Sequence, residues 1–68
     1  MTILTIDSKK MIYLLAKKQM TRRELAARAG IHEGNIGLIF KRGTCLAKTV
    51  GRLAAALDVD VSEIIAEE

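Results

Sequence analysis

Residues 21–42 read TRRELAARAGIHEGNIGLIFKR, and the architecture follows from how this segment is punctuated. Thr21 followed three residues later by Glu24 is a capping box, in which each side chain accepts from the other residue's backbone amide. Met20 before the cap and Leu25 after it are spaced to close a hydrophobic staple. The helix started there spans about residues 22–29, because Gly30 can take the left-handed conformation that ends a helix. A further helix should begin near Glu33 and run to about Lys41, with Ile36, Ile39 and Phe40 as its apolar positions. Two helices joined this way form a helix-turn-helix over about residues 22–41. Such a crossing needs a small residue where the helices meet, and Ala26 stands there. It needs a turn residue that tolerates positive φ, and Gly30 follows four residues later. It needs apolar residues one turn apart to seal the pair, and Ile36 and Ile39 serve, with Leu25 and Ile31 beneath. A lone Ala-x-x-x-Gly would be a weak signal. The whole set, with its caps and a following amphipathic segment, is a specific one.

Working outward, residues 2–6 (TILTI) are β-prone and read as a short strand or an ordered arm within residues 1–7. Asp7 can cap a first helix of about residues 8–18, with Met11, Leu14 and Leu15 on its apolar stripe. After Gly43, a loop through Thr44 and Cys45 leads to a helix of about residues 46–57. There Val50, Leu53, Ala54 and Leu57 fall at i, i+3, i+4 and i+7. Asp60 and Glu63 make a second pair of the capping-box kind, flanked by Val59 and Ile64, and predict a last helix. Ile64 and Ile65 then point inward or toward a partner. The expected architecture is an all-α domain of five short helices, with residues 1–68 as one domain.

A chain of 68 residues buries one small core, near the size at which disulfides, a metal or oligomerisation commonly help. Cys45 is the only cysteine and His32 the only histidine, so neither an intrachain disulfide nor a Cys/His zinc cluster can form. Helix packing remains, with a homodimer as the expected support. One free cysteine and an N-terminal apolar stretch too short for a signal segment point to a reducing cytoplasm. His32 has no nucleophile or carboxylate spaced to serve it, and no phosphate loop is present, so an enzyme is not expected and no cofactor is implied. Charge is segregated along the chain. Residues 1–52 carry all eleven Lys and Arg against three acids, a net +8, whereas residues 53–68 carry five acids and no base. A basic body suits a polyanion.

The segments TRRELAARAGI (21–31), NIGLI (35–39) and TVGRLAAALDVDVSEII (49–65) resemble the Xre family, the lambda-repressor-like or Cro-like helix-turn-helix regulators, in its compact bacterial or phage form. The resemblance runs over nearly the whole chain from about residue 9. It implies a five-helix DNA-binding domain, a transcriptional regulator of the repressor kind, and double-stranded DNA as the partner. It also implies a homodimer that sets two recognition helices one DNA turn apart. By the resemblance, Thr21, Arg22 and the adjoining Arg23 lie where the family contacts phosphate, as do Lys41, Arg42, Thr44 and Lys48 after the recognition helix. His32, Glu33, Gly34, Asn35, Gly37 and Leu38 take the base-facing side.

Two departures from the family's pattern bear on function. Gly34 and Gly37 offer no side chain to the bases, and Glu33 is an acid, which phosphate repels though cytosine N4 can donate to it. Affinity is then expected mostly from Arg22, Arg23, Lys41 and Arg42, with modest reading of sequence. The same weakness supports an alternative, an antitoxin or adaptor that uses the fold to grip a protein such as a toxin. In addition, many members pair an arginine of the first helix with a glutamate near the end of the third. Leu15 and Phe40 occupy those positions here, an apolar pair in place of an ion pair, and are expected to meet away from solvent.

Overall fold

A computed structural model describes residues 2–66. In order along the chain these form β1 (Ile3–Thr5), α1 (Ser8–Lys17), α2 (Arg22–Ala29), α3 (Glu33–Arg42), β2 (Thr44–Leu46), α4 (Ala47–Leu57) and a single turn of 3-10 helix over Val61–Glu63. The fold is mostly helical, and it corrects the expected five-helix, all-α architecture in two places. Among the described residues there are four α-helices with a small antiparallel sheet, and the segment after Asp60 forms one 3-10 turn rather than an α-helix.

Both corrections have one cause, the pairing of distant short segments. β1 pairs antiparallel with β2 in the register Ile3 to Leu46, Leu4 to Cys45 and Thr5 to Thr44. The Ile6 amide donates to the Gly43 carbonyl at 2.8 Å and the Ala47 amide to the Thr2 carbonyl at 2.9 Å, which extends the ladder at both ends. The segment read as a loop through Thr44 and Cys45 is therefore a strand. On the other side of β1, Ile6 bridges to Ile65, and the Ala66 amide donates to the Thr5 carbonyl at 2.9 Å. A helix continued past Glu63 would forfeit these bonds. The chain instead leaves its 3-10 turn and runs beside β1.

The helix ends follow local chemistry. The Asp7 carboxylate accepts from the amides of Lys9 and Lys10 and starts α1. The Thr21–Glu24 box is present in both directions, each bond 3.1 Å long. Gly30 closes α2 at φ 70°, in the left-handed region. Met20 and Leu25 are both buried, as the staple requires.

The core sits where α1, α2, α3 and α4 converge. Met11, Leu25, Ile36, Leu53, Leu57, Val50 and Ile64 are its fully enclosed side chains. Burying each contributes about 1.5–3 kcal/mol over leaving it exposed. Ala26 is buried where α2 packs on α3 and α4, and its small side chain permits that approach. Ile36 and Ile39 turn inward from α3. Leu15 is buried and Phe40 half-buried against the core, so neither lies in open solvent. Among the terminal apolar residues, Ile6 and Ile64 are buried in the chain's own core. Leu4, Val61 and Ile65 pack partly against it, and Ile3 is exposed. Among the described residues no polar or charged residue is buried and no helix is long and apolar enough to cross a membrane.

Candidate nucleic-acid interface

The inward turn of Ile36 and Ile39 fixes what α3 shows to solvent. Successive residues of a helix turn by about 100°, so Gly34, Leu38 and Lys41 share the opposite stripe. All three are exposed. This crest is narrow and nearly smooth, with Leu38 its one large apolar group. The helix stands between two hollows. One is lined by Gly30, Ile31, His32, Asn35, Leu38, Ile39, Arg42, Thr44, Cys45, Leu46, Thr49 and Arg52. The other lies toward the start of α2 and is lined by Arg22, Arg23, Glu33, Ile36 and Gly37. The charged side chains in the two hollows are four arginines and one acid, Glu33.

The expected contact residues divide between these surfaces. Arg22, Arg23, Glu33 and Gly37 come together on one side of α3, and His32, Asn35, Leu38, Arg42 and Thr44 on the other. Gly34 and Lys41 lie exposed on the crest. Thr21 caps α2 beside Arg22, and Lys48 is exposed on the first turn of α4, lining neither hollow.

Several of these side chains already have partners. The Thr21 Oγ1 accepts from the Glu24 amide. The Thr21 amide, foremost, and the Thr21 side chain hold the Glu24 carboxyl below its ordinary value of 4.5, and Arg28 adds a smaller pull. The guanidinium of Arg22 lies over the Phe40 ring, 5.4 Å from its centroid. Arg23 Nε donates to Glu33 Oε1 at 3.1 Å. Both of those side chains are mostly exposed, so the pair adds little stability. Its consequence is local: the one acid of α3 is paired with a neighbour from α2.

His32 has a structural task that sequence reading did not assign. It is the N-cap of α3, and its Nδ1 accepts from the Gly34 amide at 3.1 Å. The neutral ring then carries its proton on Nε2, leaving one donor for an outside group. Gly34 makes room for this cap, since a Cβ there would stand 3.3 Å from His32 Nδ1. At Gly37 a Cβ would meet nothing within 4 Å, so packing within the chain does not require glycine.

Sequence reading also missed Thr49 and Arg52, which bring α4 into the larger hollow. The i, i+4 spacing of Lys48 and Arg52 was the available signal for the arginine. Cys45 lines the same hollow, half-buried, and burial pushes its thiol up, away from the reactive thiolate.

Residues 10–67 match the family model described as the Cro/C1-type HTH DNA-binding domain. Searches of curated proteins and of solved structures return no match to this chain.

Proposed function

The chain belongs to the Cro/C1-type HTH DNA-binding domain family, and from that premise we propose that it is a transcriptional repressor that lays α3 in the major groove of duplex DNA. The observation that carries this reading is the ridge between two arginine-bearing hollows. A major groove about 12 Å wide admits one helix, and its two walls are phosphate backbones. A helix that enters with a hollow on each flank receives both walls. Arg22 and Arg23 face one of them, and Arg42, Arg52 and Thr44 the other, with Lys41 and Lys48 adding charge nearby. Thr21, at the start of α2, adds a hydroxyl and the helix's positive end.

Base reading falls to Glu33, Asn35, Leu38 and the free nitrogen of His32. Gly34 and Gly37 bring the helix backbone close to the base edges. Most of the binding free energy then comes from phosphate contacts, and selectivity is modest. A two-fold homodimer would present two copies of α3 to a palindrome. Much of the terminal apolar surface already lies in the chain's own core, so sedimentation at micromolar concentration tests that part separately.

Anisotropy titrations of a labelled duplex across a salt series test the main reading. Affinity should fall linearly in logarithmic terms as salt rises, by about 0.9 decade per decade of salt for each phosphate neutralised. Replacing Arg22, Lys41 and Arg42 by glutamine should flatten that slope by roughly 0.9 per residue in contact. Binding that ignores salt, or function in the cell that survives the triple replacement, would overturn the proposal in favour of a protein-gripping antitoxin or adaptor.

A further inference from the structure

We propose that Phe40 is a positioning residue for DNA binding: its ring holds the Arg22 guanidinium in place for a backbone phosphate. The inference rests on the DNA reading above and assigns a task to a residue that faces away from the bases. Arg22 is the first residue of α2, so its side chain leaves the helix at the end where the unpaired amides and the positive pole of the dipole lie. An exposed arginine there would ordinarily sample many rotamers and lose that freedom on binding. Here the guanidinium sits over an aromatic face belonging to the next helix. The ring itself is fixed. Phe40 is half-buried against the core, and its carbonyl accepts from the Ser8 hydroxyl at 3.2 Å, which ties this turn of α3 to the start of α1.

A cation–π contact uses the guanidinium's charge and consumes no N–H donor. The N–H groups of Arg22, which make no hydrogen bond among the described residues, therefore remain available to phosphate while the contact restrains its position. Its neighbour Arg23 is held differently, with Nε engaged by Glu33. Two adjacent arginines at one helix start are thus restrained by two separate devices, an aromatic face and a carboxylate. Only the aromatic one leaves every donor unused.

The test is a double-mutant cycle on a labelled mixed-sequence duplex, since a phosphate contact carries no base preference. Phe40→Leu keeps an apolar side chain against the core, and a thermal melt confirms that the variant folds. It should weaken binding about two- to five-fold, the size of an exposed cation–π contact. Phe40→Tyr, which keeps the ring, should bind as the parent does. In an Arg22→Gln background, Phe40→Leu should have no further effect. In the free protein, the Arg22 side-chain protons should show an upfield ring-current shift that Phe40→Leu abolishes and Phe40→Tyr retains. Two results sink the assignment while leaving the DNA reading intact. One is a Phe40→Leu defect of equal size with and without Arg22, which marks a merely structural role. The other is parent-like binding by Phe40→Leu. A parent protein that fails to bind duplex at low salt removes both the reading and the assignment.

Discussion

The two sides of α3 obey different rules. On the inner side Ile36 and Ile39 belong to the same core cluster as Leu25, Ala26, Leu53 and Leu57, and size and shape decide what is tolerated. On the outer side Gly34, Gly37, Leu38 and Lys41 are exposed, and of the two glycines only Gly34 has a neighbour, the His32 cap, within 4 Å of where a Cβ would stand. One helix of ten residues thus separates the problem of folding from the problem of binding. Substitutions inside should therefore move stability and leave the intrinsic affinity of the folded fraction alone, whereas substitutions outside should reach affinity.

The largest expected effect lies inside. Ile36→Ala should cost about 2–5 kcal/mol. A domain this small holds only about 3–10 kcal/mol in total, at 0.05–0.15 kcal/mol per residue, so the variant should lose a large share of its stability in thermal or urea melts. Ile36→Val, at about 0.5–1.5 kcal/mol, should stay folded and bind DNA as the parent does. A weakened affinity in fully folded Ile36→Val would break the proposed separation. Next comes Thr21, which stands at the boundary. Thr21→Ala removes the cap of α2 and should cost about 1 kcal/mol by urea denaturation, with a concurrent loss of affinity because the same end faces phosphate in the proposed complex.

Gly37→Ala sharpens the contrast most directly, because its two effects have opposite signs. The new methyl has open space, and alanine is preferred over glycine within a helix by about 1 kcal/mol, so melting should shift upward. If the bare backbone lies against the bases, DNA affinity falls at the same time. A variant both more stable and equally tight would show that Gly37 has no part in docking. The smallest effect concerns pH. Glu24 titrates below its ordinary 4.5 in the folded chain, so its stabilising contribution is present above that value and is lost as the pH falls below it. Glu24→Gln keeps an acceptor for the Thr21 amide but cannot titrate, and its melting temperature should depend less on pH below 4.5 than the parent's.

The inner side was largely legible in the sequence and the outer side was not. The Thr21–Glu24 box, Gly30 and the Ile36–Ile39 pair act through neighbours a few residues away, so their spacing alone placed α2 and the start of α3 where the structure has them. The Asp60–Glu63 box is equally real, with both of its bonds formed, yet it opens only one 3-10 turn. A cap specifies where a helix can begin. How far it runs depends here on Ile65 and Ala66, whose partners Ile6 and Thr5 lie at the other end of the chain. β2 escaped reading for the same reason, since a Thr-Cys-Leu segment becomes a strand only against residues 3–5. At the candidate interface, the likeness to a family supplied the expected contact residues. It could not show that Glu33 is engaged by Arg23, that His32 caps its own helix, or that Phe40 lies beneath Arg22.

The stitch between residues 5–7 and 64–66 also bears on how the protein is made. β1 leaves the ribosome before its later partners: the Ile64 carbonyl that receives the Asp7 amide, and the Ala66 amide that donates to Thr5, emerge about sixty residues later. Closing so long a loop must be offset by contacts that do not yet exist during most of translation. The outer edge of β1 therefore waits for its partners until nearly all of these residues are free. A chain ending just before residue 64 would have neither partner for that edge, and on it a protease should cut first between residues 2 and 7.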